Sequence, residues 1–305
     1  MKVLITGGTG FLGERLVRKL AERGDEVTVL SRRAGRSELA TQVVWTPDAP
    51  GAWTSEVSKA DAIVHLAGAG ILDKRWTEEH LRVCRASRVV ATKLVAEAIA
   101  ARSDKPKVFV SASAVGYYGF RSDDRVCDEG SPHGDDVLAE MCAAWEASCA
   151  PAEAAGVRVV RARIGVVLGP EGGALAQMLP MFRLGLGGSL GSGSQMLPWI
   201  HAADAVDALI FAVDTQALSG PVNVTAPNPV AMRVFAKELG RALGRPSFLS
   251  VPAFALRIAM GRGAEVILTG QNAPPKRLLE AGFSFRYPHL DGALAEAVGT
   301  RAAAS

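Results

Sequence analysis

Aromatic residues are scarce in this 305-residue chain, at 6%, and it has only four cysteines and no charge of one sign in large excess. The cysteines, Cys84, Cys127, Cys142 and Cys149, have neither metal-ligand nor disulfide spacing. A chain of this length needs no staples, so reduced thiols in a cytoplasmic compartment are expected. Lys and Arg number 34 against 31 Asp and Glu, and the resulting +3 is spread without a basic run or interleaved aromatics. That excludes the usual footprint of a nucleic-acid binder. The most apolar stretches, 89–101 and 205–213, are short or broken by charge, so no transmembrane helix is expected. MKVLITGGTG has too short an apolar run before its glycines for a secretory signal. What remains, 49% hydrophobic and 21% charged, is a globular composition with one excess: 32 glycines, well above the roughly 7% average.

The first half alternates strand and helix patterns. KVLIT (2–6), EVTVL (26–30), QVVW (42–45), AIVHLA (62–67), KVFVSA (107–112), VRVVRAR (157–163) and, later, PVNVTA (221–226) read as strands. Helical stretches are expected after the first glycines, where Leu12, Leu16, Val17 and Leu20 share a face, and near 77–102 and 135–155. This is the βαβα order of an α/β fold, a Rossmann-like, doubly wound parallel sheet. After residue 165 the texture changes to Gly-rich loops, GPEGGAL (169–175) and LGLGGSLGSGSQ (184–195), and then to helices punctuated by proline. Lying between apolar segments, those loops are expected at the rim of a site.

TGGTGFLG (6–13) follows the first strand and opens the first helix. Gly7 permits the sharp turn, Gly10 lets main chain approach a pyrophosphate, and Gly13 lets the helix lie close on the sheet, with the amides of Phe11 and Leu12 facing the phosphates. The second strand ends in Ser31, Arg32 and Arg33, where an NAD site would usually carry an acid; cations there suit a 2′-phosphate, so the expected coenzyme is NADP(H). The small residues of HLAGAG (65–70) leave room for a ligand to pass along the main chain, and His65 is expected to be packed.

Together, TGGTGFLG, the Ser-Arg-Arg run, HLAG, SASAVGYYG (111–119) and WIHAAD (199–204) resemble an extended short-chain dehydrogenase/reductase, the group of the sugar-nucleotide epimerases. RASR (85–88), AEMCAAWE (139–146), RIGVVLGPEGGAL (163–175) and the run from Leu268 to Leu294 are similar to an atypical, epimerase-like branch with a C-terminal domain of unassigned role. The resemblance spans essentially the whole chain. It implies NADP(H) contacts at Ser31, Arg32, Leu66, Ala67, Gly68, Arg88 and Val166. It also implies a division into a coenzyme domain, residues 1–165 and 200–226, and a smaller C-terminal α+β substrate domain, residues 166–199 and 227–305. One segment departs from the branch: GRGAEVIL (261–268) replaces a Gly-Glu-Met-Ala stretch, which puts any role of that acidic side chain in doubt.

Members of the superfamily pair a Ser with Tyr-x-x-x-Lys, the lysine lowering the phenol pKa while the serine holds the reacting oxygen. Ser113 matches that serine, but Leu138 and Cys142 stand where Tyr and Lys would be. Cys142 has no neighbouring His in sequence to activate it. Tyr117 and Tyr118 remain as proton donors or as pocket wall, and Trp76, Gln195 and Trp199 as the lining of a flat substrate pocket. Arg163 either holds an anionic substrate group or pairs with an acid; His201 and Asp204 read as scaffold. No metal site is expected. The expected function is an NADP(H)-binding oxidoreductase or epimerase-like protein acting on a small molecule, in a possible homodimer; the alternative is a sensor that binds the coenzyme without turnover.

Overall fold

The computed structural model describes residues 1–299; the last six residues of the expected C-terminal domain lie outside them. Seven strands, β1 (Lys2–Thr6), β2 (Glu26–Ser31), β3 (Thr41–Val44), β4 (Ala62–His65), β5 (Val108–Ala114), β6 (Arg158–Ile164) and β7 (Gly220–Val224), form one parallel sheet in the order β7-β6-β5-β4-β1-β2-β3. The chain builds outward from β1 to β3, then returns to β4 and builds the other way. The resulting switch point between β1 and β4 opens a crevice at the carboxyl ends of the strands.

Strand alternation gives each face of the sheet its own core. Val3, Ile5, Val29, Val64 and Val110 point to one side, where helix α1 (Phe11–Glu22) supplies Leu16, Val17 and Leu20 and the helix Ala202–Asp214 supplies Ala205, Ala208 and Leu209. Leu4, Leu30, Ile63 and Phe109 point to the other, against Val95, Ala96 and Ile99 of helix α2 (Glu78–Ala100). Each Val, Leu, Ile or Phe among them, fully buried, contributes about 1.5–3 kcal/mol relative to exposure.

The helix expected over 135–155 is two: α3 (Val137–Ala147), whose first amides are capped by the Asp136 carboxylate, and the short Ala150–Ala154. Ser148 bonds back to the Ala144 carbonyl and Pro151 lacks an amide proton, so the first helix stops there.

A third cluster lies beyond the sheet: Leu168, Leu175, Leu179, Phe182 and Trp199 pack with Phe235 and Leu239 of the helix Met232–Leu243 and with Leu290 and Leu294 of Leu290–Ala297. Part of the C-terminal segment returns to the sheet, however, because Leu278, Phe283 and Phe285 join the core beneath β6 and β7.

Candidate functional site

At the first crossover the geometry is made by main chain. Gly7 has φ +72°, and a Cβ on it would stand 2.8 Å from the Leu66 carbonyl carbon and 2.9 Å from the Ala67 nitrogen. A Cβ on Gly13 would meet the Gly7 oxygen at 2.1 Å. Both positions therefore exclude any side chain. The Gly10 amide bonds the Gly7 carbonyl at 3.0 Å, and no side chain caps α1, so the Phe11, Leu12 and Gly13 amides have no intrahelical acceptor. This cradle fits a pyrophosphate. The Phe11 ring lies directly beneath the loop carrying Gly169 and Gly172, and Arg15, 4.6 Å above that ring, pairs with Glu171.

Along the crevice, Ser31 accepts from the Arg33 amide at 3.3 Å, while Arg32 and Arg33 are exposed and have no ion-pair partner among the described residues. Next to β1, the Leu66 amide bonds the Thr6 carbonyl and the Ala67 amide bonds the Thr6 hydroxyl. Arg88 lies under Gly68, donates to the Ala69 and Cys84 carbonyls and rests 5.1 Å from the Trp145 ring. It braces the loop after β4 from below. His65 is buried, with Nδ1 2.7 Å from the Thr6 hydroxyl and Nε2 unpartnered; burial pulls its pKa down to about 4.

The other side of the crevice is built of side chains. Ser113, near the end of β5, donates to Glu146 Oε1 at 2.7 Å, and Glu146 also accepts from Arg163 Nε (2.8 Å) and Nη2 (2.9 Å). All three residues are buried. The Arg163 guanidinium carbon is 3.5 Å from the Tyr117 ring centroid, and its Nη1 donates to the Tyr118 hydroxyl, which donates to Asn223 Oδ1 at 2.6 Å. Burial pushes the Tyr118 phenol far up, against the opposing pull of Arg163. Tyr117 is half-buried beside Tyr118 and His133, and its hydroxyl has no hydrogen-bond partner among the described residues.

Leu138 and Cys142 face the Val115–Tyr118 turn, 3.8 and 3.7 Å from where a Gly116 Cβ would stand. Burial, and next the Glu146 charge, push the Cys142 thiol up to about 12, far from a thiolate. Sequence reasoning misses Glu146, although Leu138, Cys142 and Glu146 recur every four residues and so share one helical face.

Two expected pocket residues are largely enclosed by protein. Trp199 is fully buried in the C-terminal cluster, its indole donating to the Asn228 carbonyl, because the apolar residues of that cluster, Leu168, Phe235 and Leu294 among them, enclose it. Trp76 is nearly buried, donating to the Ile71 carbonyl and stacked 6.5 Å from Phe120. Gln195 donates to the Leu190 and Ile267 carbonyls and leaves its buried Oε1 unpartnered. Val166 follows β6 half-buried, its amide on the Pro198 carbonyl. His201 caps the next helix and pairs with Glu296, while Asp204 accepts from the Arg286 and Tyr287 amides. In the departing segment, Glu265 pairs with Arg257 at 2.9 Å.

Residues 3–225 match the model of the NAD dependent epimerase/dehydratase family. The chain belongs to that family. Residues 251–297 match a further model, described as a domain of unknown function. The chain is 43% identical over 303 residues to "Epimerase family protein SDR39U1 homolog, chloroplastic" of Arabidopsis thaliana, covering 96% of this chain and 86% of that one. It is 39% identical to "Epimerase family protein YfhF" of Bacillus subtilis, covering 99% of each. Among solved structures, that of the human epimerase family protein SDR39U1 (isoform2) with NADPH superposes with a TM-score of 0.87 at 36% identity, covering 98% of this chain and 99% of that one. MoeE5 in complex with UDP-glucose and NAD has a TM-score of 0.79 at 20% identity, covering 98% of each chain; that likeness is one of fold alone.

Proposed function

We propose that this family member binds NADP(H) at the first crossover and acts as an oxidoreductase or epimerase on a small hydroxyl or carbonyl compound. The single observation that carries the coenzyme half is the glycine cradle facing Leu66 and Ala67, with Arg32 and Arg33 just beyond β2 and without an ion-pair partner among the described residues. The NADPH in the human relative's structure supports the same choice. When bound, the coenzyme supplies hydride transfer at nicotinamide C4.

The chain's own residues do the rest. Ser113 meets the reacting oxygen, and Tyr117, whose hydroxyl has no hydrogen-bond partner among the described residues, is the phenol available to a ligand; Tyr118 is held by Arg163 and Asn223 as a brace. Trp76 and Gln195 belong to the substrate side, whose selectivity rests with residues 166–199 and those after 227. Four unpaired, buried thiols support a reducing compartment such as the cytoplasm, though one relative is named chloroplastic. No helix among the described residues is long and apolar enough to cross a membrane. A homodimer working on a small molecule, without nucleic acid, completes the reading.

A second reading has its own observation. Leu138 and Cys142 occupy the places of the proton-transfer pair, which suits a coenzyme-dependent sensor. Oxidation of NADPH by purified protein across aldehydes, ketones and sugar nucleotides decides between them. Turnover lost in Ser113→Ala supports the enzyme; coenzyme binding without turnover on any of these supports the sensor.

A further inference from the structure

A serine hydroxyl offers one proton and two lone pairs, and here the proton's direction is fixed. Glu146 already accepts two bonds from Arg163, one on each oxygen, so within the triplet its carboxylate has only acceptor capacity and Ser113 must be the donor. The bond is charge-assisted, 2.7 Å long and buried, with Ser113, Glu146 and Arg163 respectively 3%, 8% and 2% exposed. Arg163 is in turn held by the Tyr117 ring and the Tyr118 hydroxyl, so the triplet cannot swing without disturbing the whole wall.

From this we infer that Ser113 meets its ligand only as an acceptor, that Glu146 is the positioning residue imposing that polarity, and that the site selects the hydroxyl form of its substrate, a secondary alcohol whose O–H donates to Ser113. The inference rests on the proposal that Ser113 meets the reacting oxygen, and it names the substrate class for that site. A carbonyl in the same place needs a donor, and turning the serine proton outward forfeits the bond to a buried carboxylate. Glu146 continues the face on which Leu138 and Cys142 replace the usual pair, one turn beyond Cys142, so an anion now occupies the helix face that a lysine would have made cationic.

Two measurements test this. By NMR at low temperature, a Ser113 hydroxyl proton protected from exchange is expected in the wild type, with cross-peaks to Glu146, and missing from Ser113→Ala; its absence from well-folded wild-type protein overturns the polarity. Binding is then measured by calorimetry and saturation-transfer NMR for paired secondary alcohols and their ketones, cyclohexanol with cyclohexanone first, in the presence of coenzyme. Ser113→Ala is expected to weaken the alcohols about tenfold and the ketones less than about threefold, the scale of one hydrogen bond to a buried site. In Glu146→Gln the amide can donate to Ser113, and the alcohol preference should vanish or invert. Equal weakening of both classes, or greater weakening of the ketones, overturns the polarity and leaves Ser113 as a ligand contact. No effect of Ser113→Ala on either class, or no binding of any pair, overturns the proposed function at Ser113 and this inference with it.

Discussion

The two walls of the crevice are made of different materials. The β1–β2 side presents amides and an absence of side chains at Gly7 and Gly13, with Arg32 and Arg33 at the rim and without an ion-pair partner among the described residues. The β5–β6 side presents a buried ion pair, a serine and two tyrosines gripped by Arg163. A main-chain cradle leaves little room for variation, because any Cβ collides with backbone. A wall of side chains can be rebuilt, and here Leu138 and Cys142 face the Val115–Tyr118 turn while Glu146 and Arg163 hold Ser113 and the two tyrosines.

If that contrast is right, the largest effect should come from the backbone wall. Gly13→Val drives a Cβ into the Gly7 carbonyl 2.1 Å away; coenzyme binding should disappear in calorimetry, with a stability loss of about 3 kcal/mol or more in urea titration. On the opposite wall, Glu146→Gln leaves Arg163 buried without its counter-charge and should destabilise the fold by about 3–5 kcal/mol. Replacement of both residues by apolar ones should recover much of that loss.

His65 gives the coenzyme wall an acid sensitivity. Its folded pKa, about 4, lies below the ordinary 6.5, so the unfolded chain binds the proton first as pH falls. The stabilisation is complete above about pH 6.5 and is lost progressively between about pH 6.5 and 4, by up to about 3 kcal/mol. His65→Gln should flatten that part of the stability–pH curve; an unchanged slope assigns the acid sensitivity to other groups. Smaller still, Arg32→Ala should weaken NADPH by about 1–2 kcal/mol and NADH hardly at all. Least of all, Cys142 and Cys149, both pushed to about 12 by burial, should resist iodoacetamide in the native protein at pH 8, and rapid labelling would show that the helix face opens.

The coenzyme wall was largely legible in the sequence because its requirements are local: a strand, three glycines and a helix within 6–13, then a basic pair at the end of the next strand. The sheet followed from alternation, with strand limits displaced by one or two residues, as at Thr41–Val44 and Val108–Ala114. The other wall was legible only in part. Glu146 and Arg163 are 17 residues apart and meet only because α3 packs against β5, the neighbour of β6, and nothing local tells a buried pair from two surface charges. Trp199 reads as pocket lining in the sequence because the neighbours that enclose it, Phe235 and Leu294 among them, come from the far end of the chain.

The most direct test of the account is calorimetric titration of the folded protein with NADPH and with NADH. One NADPH site per chain is expected, at least about tenfold tighter than NADH through the 2′-phosphate at Arg32 and Arg33. No heat with either coenzyme, or equal affinity for both, would contradict it.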